Sequence, residues 1–96
     1  MTQRTIQFDT SAAAAAAIAR RAPVLRRQVL AFIASRGHCG ATDEEIALAT
    51  QLRESTARAR RCELRDNGQV RDSGQRRNVS SGNKARVWIA TGVPLI

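Results

Sequence analysis

Ser55, Thr56 and Arg58 fall within one helical turn of each other, directly after Arg53 and Glu54. A hydroxyl can donate or accept a hydrogen bond, and a guanidinium fork matches two acceptors at once. A second group of the same chemical kind follows: Arg76, Arg77, Asn78, Ser80, Ser81, Asn83, Lys84 and Arg86. These residues suit neutralising phosphate and hydrogen-bonding to planar polar edges. They do not suit making or breaking covalent bonds.

Residues for catalysis are correspondingly scarce. The chain has one histidine, His38, and no tyrosine. Its adjacent acids, Asp43, Glu44 and Glu45, read as the cap of a helix, so no acid–base pair is evident. Cys39 lacks the partners a nucleophilic thiol needs. Zinc needs three or four ligands, and His38, Cys39 and Cys62 are not at workable spacing. The expectation is a non-enzyme with no cofactor and no metal. Two cysteines make no disulfide framework. No signal peptide is visible, and the alanine run at residues 12–17 is too short and too weakly apolar to span a bilayer. A cytoplasmic, nucleoid-associated location without membrane contact is expected.

The charge supports the same chemistry. Sixteen basic residues oppose eight acidic ones, a net +8, and Lys84 is the single lysine. Residues 1–40 carry six Arg and one Asp, and residues 41–52 carry three acids and no base. Residues 53–86 carry ten bases and four acids. An acidic island between basic stretches fits a helix N-terminus within a polyanion-binding chain. A GC-rich genome would favour arginine over lysine, but that bias does not account for the excess over Asp and Glu.

These residues need elements to position them. At 96 residues the chain is sized for one domain. Its aromatic residues are Phe8, Phe32 and Trp88, so the core must be mainly Leu, Ile, Val and Ala. Thr10 and Ser11 can cap an alanine-rich helix running from Ser11 to about Arg21. Pro23 then suits the first position of a new helix. Its apolar stripe is Leu25, Val29, Phe32 and Ile33, and Gly37 ends it. Thr42 and Glu45 have the spacing of a capping box for a short second helix. Ile46 and Ala49 are expected to point inward, with Leu52 starting the next turn. A third helix is expected from about Glu54 to Asp66, closed by Asn67-Gly68. Ala57 and Leu64 would share its buried face. Arg61 lies near that face, so it should snorkel or pair with an acid such as Glu45. Val70 to Asp72 reads as a short strand and Ser73 to Asn83 as a long loop. Lys84 to Thr91 reads as the return strand, with Val87 and Ile89 facing one side and Arg86 and Trp88 the other. Trp88 is expected to be core or a packing lid.

The order is helix, capped short helix, basic helix, strand, basic loop, strand. Over about residues 22–91 it resembles the winged helix-turn-helix family of DNA-binding proteins. The segment TDEEIALATQLRESTARARRCELRDNGQV, residues 42–70, carries most of the likeness. The block RARRCELRDNGQVRDSGQRR also resembles small phage-borne or mobile-element regulators. Gln51 stands where the family often has Gly, Arg53 where it often has a Ser or Thr cap, and Gln69 where an apolar residue is common.

The resemblance implies a mainly α fold with a small β-hairpin: a three-helix helix-turn-helix core plus wing, with an extra N-terminal helix. The implied divisions are a tail and alanine-rich helix at 1–21, the winged domain at 22–91 and a tail at 92–96. The implied function is sequence-specific binding of double-stranded DNA by a transcriptional or mobile-element regulator. The third helix would enter the major groove, with Arg53, Ser55, Thr56 and Arg58 at its leading end. Arg76, Arg77, Asn78, Lys84 and Arg86 on the wing would hold the backbone or the minor groove. Homodimerisation through the N-terminal helix is one reading of that segment. A winged-helix scaffold that binds a protein partner is the alternative function.

Overall fold

The computed structural model describes residues 20–92. The expected Ser11–Arg21 helix, with any dimer contact it makes, lies outside the described residues except for its last two positions.

Helix α1 occupies residues 20–35 and is continuous across Pro23. The expected helix start at Pro23 is therefore corrected. Proline's φ is already helical, so its cost is a missing donor and crowding of the preceding turn. Ala22 is buried at this point, at 8% exposed. Val29 and Ile33 are fully buried, and Leu30 and Phe32 pack at the edge of the core. Gly37 then takes φ +57°, and the chain makes a 3-10 turn over Gly37–Cys39.

Thr42 caps helix α2 (Asp43–Thr50) through a complete capping box. The Glu45 amide donates to Thr42 Oγ1 at 3.2 Å, and the Thr42 amide donates to Glu45 Oε1 at 3.1 Å. Thr42 is 1% exposed, so water cannot replace these bonds. Thr42→Ala should lower stability by about 1–2 kcal/mol, read as a lower urea midpoint at unchanged slope. Ile46 is the buried residue of α2. Ala49 is exposed, contrary to expectation, and Ala47 and Leu52 pack against the core instead. In so short a helix, a two-residue difference in position moves an alanine to the other side of the helix, and Ala47 takes the core side.

Gln51 turns the chain with φ 60° and ψ 31°, the one non-glycine residue with positive φ among those described. Helix α3 (Glu54–Asp66) follows, burying Ala57, Arg61 and Leu64. Gly68, at φ +77°, closes it, and the Gln69 amide donates to the Leu64 carbonyl at 2.8 Å.

The hairpin pairs β1 (Val70–Asn78) with β2 (Lys84–Ala90) in antiparallel fashion. Sequence reasoning placed Ser73–Asn83 in a loop, but β1 runs on to Asn78. Ladder pairing resumes at Arg76↔Arg86 after an irregularity that follows Asp72↔Trp88. Ser73, Gly74 and Gln75 form that irregularity. Asp72 Oδ1 accepts from the Gly74 amide at 2.9 Å, and Ser73 Oγ accepts from the Gln75 amide at 3.1 Å. Side chains here supply acceptors the ladder lacks, so polar residues that resemble a loop belong to a bulged strand.

On its other edge β2 meets Ala41. The Trp88 amide donates to the Ala41 carbonyl at 2.8 Å and the Ala41 amide returns the bond at 2.9 Å. This makes β2 the middle strand locally, and Val87 through Ala90 are all buried. The expected alternation of buried and open faces fails at this end, because both faces are covered. Val29, Ile33, Ala41, Ile46, Ala57, Leu64, Val70, Trp88 and Ala90 form one core. Among the described residues the architecture is three α-helices packed with a two-stranded antiparallel hairpin.

Candidate nucleic-acid interface

Helix α3 divides lengthwise by its composition. Ala57 and Leu64 bury one face, and Ser55, Arg58, Ala59, Arg65 and Asp66 stay exposed on the rest. Arg58 and Arg65 border a groove of about 290 Å³ with Val79, Ala85 and Arg86 of the hairpin region. The exposed face of α3 and the hairpin therefore share one flank. Trp88 and Arg61 form its floor.

Arg61 is the anchor of that floor. Its Nε and Nη2 donate to the two oxygens of Asp43 at 2.8 and 2.6 Å, a bidentate pair. Its guanidinium carbon lies 4.1 Å from the centre of the Trp88 ring. Asp43, on the acidic first turn of α2, is the partner, and not Glu45 as expected. Burial pulls the Arg61 pKa down, but the Asp43 hydrogen bonds and charge outweigh it, leaving the pKa above its ordinary value. Arg61 is thus a permanently charged structural strut joining α2, α3 and β2.

The other candidate cations are mostly engaged by carboxylates. Arg58 faces Asp43 at 3.5 Å and Glu54 at 3.2 Å. Arg76 and Arg86 stand directly opposite each other in the ladder, where like charges repel. Asp72 lies between them, 3.1 Å from Arg76 and 3.6 Å from Arg86. Arg77 donates to Glu45 and to the Cys39 carbonyl. Ser80 at the hairpin tip donates to Glu44 through both its amide and its hydroxyl. Lys84 donates to Asn78 Oδ1 at 3.1 Å. The acidic turn of α2 therefore grips the hairpin as well as capping its own helix, a role that capping analysis missed. A hint was available in its three carboxylates, more than one capping box needs.

The leading end of α3 differs. Arg53 is its N-cap and makes no side-chain cap bond. Ser55 is exposed and Thr56 half-buried. Arg53 makes no ion pair among the described residues, and Arg21 of α1 makes none either. Of the expected site residues, Arg53, Ser55 and Thr56 line a cleft against α1, while Arg58 and Arg86 line the hairpin groove. Two adjoining recesses thus replace the single surface that the sequence suggested.

No protein-family model, characterised protein or solved structure matches this chain. Fold and site define a class: a basic helical domain with an antiparallel hairpin alongside its third helix. Among the described residues no helix is long and apolar enough to cross a membrane, and no cluster of three or more His, Cys, Asp or Glu could hold a metal ion.

Proposed function

We propose that this chain is a winged-helix protein that binds double-stranded DNA with sequence preference, as a transcriptional or mobile-element regulator. The observation that carries the reading is the shared flank: the exposed face of α3 and the hairpin border one groove. Ser55 and Ala59 flank that face on the side of the α1 cleft, and their small exposed side chains let the helix backbone approach base edges. Arg58, 53% exposed, can exchange its carboxylate partners for the two acceptors of guanine. Arg76 and Arg86 can likewise trade Asp72 for backbone phosphate.

The internal carboxylates change the expected salt dependence. Six phosphates neutralised by unpaired cations would give a slope of log K against log salt near about −5. Cations already held by Asp43, Glu54 and Asp72 exchange one anion for another, so the slope should lie between about −3 and −5. The test is selection of duplexes from a random pool, then salt titration of the selected site. A recovered consensus with that slope supports the proposal. No enrichment, or a slope flatter than about −1, would end it. Arg58→Ala should flatten the consensus at one position, whereas Arg76→Ala should weaken all duplexes alike.

A further inference from the structure

The second recess is a cleft of about 440 Å³ between α1, the Gln51 turn and the start of α3. That volume is within the range of sites for small organic ligands. Among the described residues, Arg21, Arg53 and Arg60 line it and no acidic residue does. The hairpin groove, by contrast, has Asp43, Glu44 and Glu54 among its lining residues.

Arg60 sharpens the contrast. Its side chain is 11% exposed and its Nη2 meets Glu63 at 2.8 Å. Its Nε is buried without a hydrogen-bond partner among the described residues. An unmet buried donor is costly, and Arg60 carries that cost at the edge of the cleft. The hydroxyls of Ser55 and Thr56 line the same recess, and Leu25 and Leu52 give it an apolar wall.

Arg53 adds an independent argument. Ser, Thr, Asp or Asn at the N-cap would stabilise α3, and arginine gives no cap bond. A cation here forgoes helix stability and adds positive charge to the helix end that is already positive. Its position at the cleft gives that choice a chemical use.

We propose that this cleft binds the phosphate group of a nucleotide-sized organic anion. Phosphate suits it better than carboxylate because Arg60 is already paired with Glu63 and a phosphomonoester carries close to two negative charges, enough for Arg21 and Arg53 together, whereas one carboxylate would leave one of those two unmet. The leucine wall suits a flat or apolar body attached to that phosphate; a bare ion would leave the wall unused. A free ligand and a phosphorylated DNA strand end both carry such a monoester, and the experiment separates these sources. The cleft shares Ser55 and Ala59 with the surface proposed to meet DNA, but its claim is independent: a chain that ignores duplex DNA but takes a nucleotide would still satisfy it.

The experiment follows backbone amide shifts of the full chain on titration with adenosine 5′-monophosphate, adenosine, inorganic phosphate and a short duplex. The monophosphate should move the Leu52, Ser55 and Thr56 amides saturably. Adenosine should not, and inorganic phosphate should move the same amides with at least about tenfold weaker affinity. Arg53→Ser should raise the melting temperature through its new cap, yet weaken the monophosphate about tenfold or more. Loss of binding in a more stable variant cannot be loss of fold. Displacement of the monophosphate by a 5′-phosphorylated duplex, but not by the same duplex without its end phosphate, identifies a DNA strand end as the source, and simultaneous binding identifies a free ligand; both support the site. Shifts confined to the hairpin, no shifts, or unchanged affinity in Arg53→Ser overturn it. Equal affinity for inorganic phosphate overturns the organic body.

Discussion

Gly40→Ala should be the most damaging single-methyl substitution in the described domain, lowering stability by about 3 kcal/mol or more. A β-carbon at this position would lie 2.5 Å from the Trp88 carbonyl oxygen, 2.7 Å from Val87 Cγ1 and 2.9 Å from Ile89 Cγ2. The first of these is backbone in the middle strand and cannot swing away. Overpacking a filled core costs about 1–3 kcal/mol. Gly40 also has φ +62° with ψ −164°, a region essentially reserved for glycine, where a side chain adds about 1–3 kcal/mol of backbone strain. For a domain of this size the melting temperature should fall by at least about 12 °C. Gly37→Ala is the control, since Gly37 has φ +57° but nothing within 4 Å of a built β-carbon. It should cost only the strain, about 1–2 kcal/mol. Thermal unfolding followed by circular dichroism reads both. Equal losses in the two variants would show that close approach to β2 is not what Gly40 provides.

Asp43→Ala should cost about 3–5 kcal/mol, the second largest effect. It strips the bidentate partner from Arg61, whose side chain is 8% exposed. The remaining contacts, Trp88 at 4.1 Å and Cys62 Sγ at 3.3 Å, cannot replace a carboxylate. Deprotonation gives no escape, because a guanidinium keeps its proton throughout the ordinary pH range. In the intact protein the Arg61 pKa is raised, so its stabilising contribution is fully present below the unfolded value and is lost only above the folded one. That window lies beyond ordinary alkaline pH, and a titration from about pH 7 to 10 should show no loss from this residue. Replacing both partners, Asp43→Ala with Arg61→Met, should recover much of the deficit, because no charge is then left buried. The double-mutant cycle measures the coupling by chemical denaturation. A double variant as unstable as Asp43→Ala would mean that the pair is not the source of the stability.

Both predictions concern residues whose importance was uneven in the sequence. The cap at Thr42 and Glu45 was legible because its bonds are local: three residues of spacing contain the whole interaction. Helix α3 was legible from Glu54 to Asp66 for the same reason, with Gly68 marking its end. Gly40 carried only a turn signal, since the strand it touches lies nearly fifty residues downstream. Arg61 stood out as a cation on an apolar face. Choosing Asp43 over Glu45 required knowing how α2 is rotated against α3, a difference of two residues that spacing cannot resolve. The hairpin was misjudged in length because Ser73, Gly74 and Gln75 have loop chemistry, while the ladder beyond them depends on Lys84–Arg86 being opposite.

Composition and local pattern determined a basic, mainly helical chain with a capped second helix, an arginine-rich third helix and a polar hairpin, because each of those properties resides within a few consecutive residues. Tertiary structure alone decided which arginines are neutralised and which are left open. Asp43, Glu45 and Asp72 hold cations that neighbour them in space, while Arg21 and Arg53 line a recess that has no acid among the described residues. Coulomb energy depends on separation through space, and separation along the chain does not specify it.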